Sequence, residues 1–235
     1  MVITVVMLKE RARKGMAEKN FKAVIFDMDG VIFDSERMVI ACWKELAEKY
    51  QIANIEEACR SCLGVTMRRT REIMLERYGA DFPYDQYAAE ASRMFHSRFD
   101  GGRLPQKKGI KELLEALKQS EKKIALASST RRQTVEQELR DGGLIEYFDA
   151  LVCGDMVEKS KPEPDIYLKA CSLVGVDPTD AYAIEDSYNG ILSASAGGLR
   201  PIMVPDLASP TPLMEEKAEI ILSDLLAVKE YLFYS

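Results

Sequence analysis

Ala23-Val24-Ile25-Phe26-Asp27-Met28-Asp29-Gly30-Val31-Ile32-Phe33-Asp34-Ser35-Glu36 is the stretch on which the reading of the whole chain turns. Its first four residues form a continuous apolar run that ends on an acid. The same pattern returns at 123–128 (Lys-Ile-Ala-Leu-Ala-Ser) and 181–186 (Ala-Tyr-Ala-Ile-Glu-Asp), with weaker runs at 150–153, 201–204 and 219–222. A strand that is apolar at successive positions, not at alternate ones, is buried on both faces, as in a parallel sheet. Helical patterns lie between the runs: 109–118, where Ile110, Leu113, Leu114 and Leu117 share a face, then 132–139 and 165–174. This alternation predicts an α/β fold, a doubly wound parallel sheet with right-handed crossovers. Open sheets of that kind bind ligands at the carboxyl ends of their strands, and the polar residues of this chain cluster there.

Residues 37–102 break the alternation. Helical patterns at 38–50, 56–63, 67–78 and 84–99 follow one another with no strand run between them. They are expected to form an α-helical cap domain inserted into a core made of residues 20–36 and 103–235, with Gly101 and Gly102 as the return hinge. Residues 1–19 are expected to be an N-terminal extension. The apolar stretch Met1–Leu8 is too short to span a membrane. Its charges follow it instead of preceding it, unlike those of a signal peptide.

A net charge of −6 over 235 residues argues against a broad nucleic-acid surface. Neither nucleic acid nor a membrane is expected as a partner. The five cysteines (Cys42, Cys59, Cys62, Cys153, Cys171) are odd in number and scattered. Cys59 and Cys62 form a lone C-x-x-C with no second pair at zinc-site spacing. Reduced thiols of this kind point to the cytoplasm, and the chain is expected to act as a monomer.

Two carboxylates two residues apart, just past a buried strand, repel each other unless a cation neutralises them. A hard cation with oxygen ligands, such as Mg²⁺, does this, and Gly30 lets the chain turn sharply beside them. Ser128, Ser129 and Thr130 end the second strong run; their hydroxyls and amides suit phosphate oxygens, or equally a cap for the next helix. Lys161, in Lys159-Ser160-Lys161-Pro162-Glu163-Pro164-Asp165, is a point charge on a proline-stiffened loop. Glu185 and Asp186 end the third strong run and can both approach one cation, or Asp186 or Ser187 can cap a helix. The only histidine, His96, has no evident acid partner, so a Ser-His triad and a multi-histidine zinc site are not expected. No G-x-G-x-x-G follows the first strand, which removes a dinucleotide-binding oxidoreductase.

An Asp-x-Asp, a serine, a lysine and an acid pair, in this order at strand ends, resemble the four motifs of the haloacid dehalogenase superfamily. The match of Asp27-Met-Asp29-Gly-Val, Lys161-Pro-Glu-Pro-Asp165 and Glu185-Asp-Ser187 is most similar to its β-phosphoglucomutase-like branch, which has a helical cap after the first motif. The resemblance runs from about residue 20 to the C-terminus. It implies Asp27 as nucleophile and Asp29 as general acid/base. It implies Ser128, with Ser129, and Lys161 as the phosphate grip. Asp27, the Asp29 carbonyl, Asp186 and Glu185 would hold Mg²⁺. In the cap, Trp43, Gly64 and Arg68 are the candidates for substrate contact. The implied activity is hydrolysis of a small phosphomonoester, a sugar phosphate or similar metabolite, through an aspartyl phosphate. A sugar-phosphate mutase is the alternative, although Val39 stands where such mutases carry a histidine. A phospho-ligand binding protein without turnover is the reading from outside enzymology.

Overall fold

A single alternation in residue size shapes the two faces of the sheet. Val24, Phe26, Ile124, Leu126, Tyr182 and Ile184 face one side, and Ala23, Ala125, Ala127, Ala181 and Ala183 face the other with Ile25. Successive side chains of a strand point to opposite faces, so each face is covered by a different helical layer. The computed structural model describes residues 19–63 and 67–234. The expected N-terminal extension, up to residue 18, and Gly64 lie outside these.

Six parallel strands form the sheet in the order β3-β2-β1-β4-β5-β6. They are β1 (Ala23–Phe26), β2 (Lys123–Ser128), β3 (Ala150–Cys153), β4 (Ala181–Glu185), β5 (Arg200–Met203) and β6 (Ile220–Ile221). The doubly wound α/β expectation is borne out, and the strand runs fall within a residue or two of the observed bounds. β1 lies at the centre, paired with β2 and β4 in register, so Phe26 sits opposite Leu126 and Ile184. This register brings the ends of three strands side by side, with the acids at the ends of β1 and β4 and the serine at the end of β2.

Four helices follow β1 one after another: α1 (Ser35–Tyr50), α2 (Ile55–Arg60), α3 (Met67–Tyr78) and α4 (Tyr84–Phe99). They share an apolar cluster that includes Ile40, Trp43, Leu46, Ile55, Met74 and Ala91. The chain returns to the sheet through Gly101 and Gly102, both at positive φ. Next come α5 (Ile110–Gln119) and α6 (Arg132–Asp141), whose Leu113, Leu114, Leu117, Val135 and Leu139 cover the large-residue face. On the alanine face lies α7 (Asp165–Val174), through Ile166, Tyr167, Ala170 and Cys171. Alanines let a helix approach closely, and Tyr167 is thereby carried, fully buried, to the edge of the site. Three further helices, α8 (Tyr188–Ala196), α9 (Pro212–Lys217) and α10 (Leu225–Phe233), complete the described chain. The sequence reading predicts neither α9 nor α10, and raises α8 only as the helix that Asp186 or Ser187 would cap.

Candidate active site

The backbone amide of Asp27 donates to the Ile184 carbonyl at 3.0 Å, which extends the β1–β4 ladder by one step and fixes Asp27 beside Glu185 and Asp186. The chain then turns tightly, with the Ile32 and Phe33 amides donating back to the Met28 carbonyl and the Gly30 amide to that of Phe33. Gly30 has φ +80°, and a β-carbon there would lie 2.2 Å from Asp186 Oδ2. Any side chain at position 30 would displace Asp186.

Asp27, Glu185 and Asp186 are all buried, and each brings a carboxylate oxygen within 4.8 Å of the others'. Lys161 meets two of them: its Nζ donates to Asp27 at 2.5 Å and to Glu185 Oε1 at 2.6 Å. Burial works against the Lys161 charge, but Asp27 and Glu185 outweigh it and hold the ammonium above the ordinary lysine value. Burial also pushes the carboxyls of Asp27 and Asp186 well above the usual range. Glu185 and Asp29 add to the push on Asp27 while Lys161 opposes it, and Glu36 and Glu185 add to that on Asp186. One ammonium does not neutralise this set of acids. Oxygen-only ligands that remain acidic in excess after Lys161 is counted fit a hard divalent cation.

Glu185 accepts from several donors. Besides Lys161, its Oε1 accepts from Tyr167 Oη at 2.6 Å, and its Oε2 accepts from the Asp186 amide at 3.2 Å and the Ser187 hydroxyl at 3.1 Å. The Lys161 ammonium also lies 5.1 Å from the centre of the Tyr167 ring. Ser187 caps α8, accepting from the Gly190 amide, so the cap role falls to Ser187 and leaves the Asp186 carboxylate to the cluster.

Asp29 is set apart from that cluster. Its carboxylate accepts from Ser35 Oγ at 2.6 Å and from Thr130 Oγ1 at 2.9 Å. Ser128 is fully buried, and its Oγ accepts from the Thr130 amide at 3.1 Å. Ser129 is exposed. The alternative that Ser129 or Thr130 caps the following helix is not what forms: the cap position of α6 is Arg131, with no side-chain cap bond.

The structure therefore brings Asp27, Asp29, Ser128, Lys161, Glu185 and Asp186 together. The other candidates sit elsewhere. Trp43 is buried in the insert's own cluster, with its ring stacked on Tyr84 at 6.0 Å. Arg68, with its side chain 91% exposed, pairs with Glu72. His96 does have an acid partner, contrary to expectation: Nδ1 lies 2.9 Å from Asp100 Oδ1, one helical turn on. Three participants, Ser35, Tyr167 and Asp206, escape the sequence reading, and Thr130, expected at a phosphate or as a cap, instead donates to Asp29. Thr130 and Ser35 lie inside or next to the quoted motifs. Tyr167 lies on a buried helix face. Asp206 lies just past β5, and an acid following the end of another strand of the sheet is the signal that could have found it.

A doubly wound sheet with an acid cluster and one lysine at its strand ends has the build of an acid-centred hydrolase. Residues 24–204 match the family model described as haloacid dehalogenase-like hydrolase, and the chain belongs to that family. It is an enzyme of the hydrolase type. It is 33% identical over 185 residues to the phosphorylated carbohydrates phosphatase of Thermotoga maritima, covering 77% of this chain and 83% of the relative. It is 34% identical over 186 residues to the beta-phosphoglucomutase of Bacillus subtilis, covering 76% and 80%. Among solved structures, CbbY from Rhodobacter sphaeroides in complex with phosphate superposes with a TM-score of 0.70 at 27% identity, covering 87% of this chain and 95% of that one. No helix among the described residues is long and apolar enough to cross a membrane.

Proposed function

We propose that this chain is a Mg²⁺-dependent phosphatase that hydrolyses a small phosphomonoester through an aspartyl phosphate on Asp27. The observation that carries the reading is the separation of two aspartates two residues apart. Asp27 is paired with Lys161 inside the buried acid cluster, while Asp29 is turned away and held by Ser35 and Thr130. One is placed to attack and the other to move protons.

Asp27, Glu185, Asp186 and the Asp29 carbonyl would hold the ion. When bound, it supplies positive charge to the phosphoryl oxygens and lessens the repulsion between the incoming anion and Asp27. A carboxylate oxygen of Asp27 attacks phosphorus and the ester P–O bond breaks. Asp29, protonated, gives its proton to the departing oxygen. Lys161 pairs with the transferring group. The Ser128 hydroxyl, whose oxygen already accepts from Thr130, turns its hydrogen to a phosphoryl oxygen, and Ser129 contributes at the exposed edge. Asp29, now ionised, takes a proton from water as that water attacks the aspartyl phosphate, which releases phosphate and restores both carboxyls.

Residues 37–102 act as a cap over this site. The choice of substrate falls to this cap. The name of the Thermotoga maritima relative makes sugar phosphates the first substrates to test. One chain supplies every residue of the site, so a monomer suffices. The five cysteines are free thiols, which supports a cytoplasmic setting.

The test is phosphate release from a panel of small phosphomonoesters, with Mg²⁺ and with EDTA, alongside a coupled assay for glucose 6-phosphate formed from β-glucose 1-phosphate. Magnesium-dependent release of phosphate is expected. Glucose 6-phosphate with little free phosphate, or no turnover of any ester by folded protein, would overturn the reading.

A further inference from the structure

A second group of acids adjoins the first. Glu36, in the first turn of α1, Asp186, just past β4, and Asp206, in the loop after β5, bring carboxylate oxygens within 4.8 Å of one another. Oxygens on opposite sides of one hard divalent ion, each bonded at about 2.1–2.4 Å, stand roughly 4.2–4.8 Å apart, so the group has the span of a single coordination shell. Asp206 is the informative member. Its side chain is only 1% exposed, and its Oδ1 takes both Arg37 at 2.7 Å and Lys107 at 2.8 Å. Its Oδ2 is buried and has no hydrogen-bond partner. Proteins rarely leave a buried carboxylate oxygen unmatched. With Oδ1 already taken, Oδ2 is the oxygen left for the cluster.

The local charge points the same way. Arg37 and Lys107 also reach Asp34, at 3.1 and 3.7 Å. Two cations thus face Asp34, Glu36 and Asp206, besides the Asp186 shared with the first cluster, so this group too stays acidic in excess. The ligands are all oxygens, which selects a hard cation over a thiophilic one.

We propose that Glu36, Asp186 and Asp206 form a second divalent-cation site, joined to the first through the two oxygens of Asp186. It ties the first helix of the insert to the ends of two strands in the sheet, so the ion restrains α1 against the core. The site stands on its own residues and does not depend on the phosphatase reading.

The test counts ions and needs no turnover. Mn²⁺ is titrated into the full chain without substrate, and the free ion is followed by electron paramagnetic resonance. Two Mn²⁺ per chain are expected. Glu36→Gln should weaken one of them by about tenfold or more and leave the other, as expected for loss of a ligand or its close support. Asp27→Asn should weaken the other one instead. Asp206→Asn should match Glu36→Gln; if that variant does not fold, Glu36→Gln decides alone. A single Mn²⁺ per wild-type chain, or a Glu36→Gln titration identical to wild type, would overturn the proposal.

Discussion

Alanine at position 190 sets two physical effects against each other. Gly190 lies in the first turn of α8, where alanine is favoured over glycine by about 1 kcal/mol in helix propensity. A β-carbon there, however, would fall 1.9 Å from Glu185 Cδ and 2.0 and 2.1 Å from its two carboxylate oxygens. Even the tightest tolerated contact, 3.0 Å, requires that carboxylate to retreat by about 1 Å. The bonds from Lys161 and Tyr167 to Glu185 are both 2.6 Å long and do not survive such a shift. Disrupting a buried ion pair costs roughly 3–5 kcal/mol, which exceeds the propensity gain and leaves a net loss of about 2–4 kcal/mol. For a chain of this size the melting temperature should fall by on the order of 10 °C. Lys161 loses its anchor at the same time, and a misplacement of about 1 Å can cost about a hundredfold in rate. Thermal unfolding by circular dichroism and a phosphate-release assay read the two effects. Gly197→Ala is the control, since its β-carbon would meet only the tip of Leu199, at 3.1 Å, among side chains. A Gly190→Ala variant that melts at or above the wild-type temperature and turns over normally would refute the argument that Glu185 is seated against Gly190.

Tyr167→Phe removes the buried donor to Glu185 Oε1. A hydrogen bond to a charged group contributes about 1.5–3 kcal/mol, so thermal melting should show a loss of several degrees. Glu138→Gln tests a pH effect: burial, with Asp29, Asp100 and Asp141 nearby, pushes the Glu138 carboxyl from 4.5 up to about 8. Between these values the folded chain holds a proton that the unfolded chain has released, so wild-type stability falls as pH rises through the window. The variant should therefore gain in melting temperature at pH 8 relative to wild type, by roughly 2–4 °C for about 1 kcal/mol after allowing for partial exposure, and the gain should shrink towards pH 5. Asp29→Asn should lower turnover of sugar phosphates by about 10²–10⁴-fold. Comparison with p-nitrophenyl phosphate checks the role, because a good leaving group needs less help from a proton donor and should lose less.

The sheet is legible in the sequence because strands buried on both faces leave continuous apolar runs. α8 is hidden for a related reason. Tyr188-Asn-Gly-Ile-Leu-Ser-Ala-Ser-Ala196 is rich in small residues, and its close packing leaves little of the one-sided apolar pattern that marks a surface helix. Acids at strand ends are legible where they come in pairs, as Asp27 with Asp29 and Glu185 with Asp186. Asp206 stands alone past a strand that begins Arg200-Pro201, and only the sheet order β1-β4-β5 brings it near Asp186. Tyr167 sits at a helical position suited to any large core residue. Its role follows from the alanine face opposite, which no local pattern reveals. Thr130 reads as a phosphate ligand or a helix cap until the register of β1 and β2 places it against Asp29.

In the proposed mechanism Asp27 carries the phosphoryl group during turnover. Acid quench within the first turnover, followed by mass spectrometry of the digested protein, tests it most directly. A peptide containing Asp27 should be heavier by one phosphoryl group, labile to hydroxylamine and absent from Asp27→Asn, which should also lose at least about a thousandfold in rate. Phosphate release from wild type with no such adduct, together with an Asp27→Asn variant that still turns over, would contradict it.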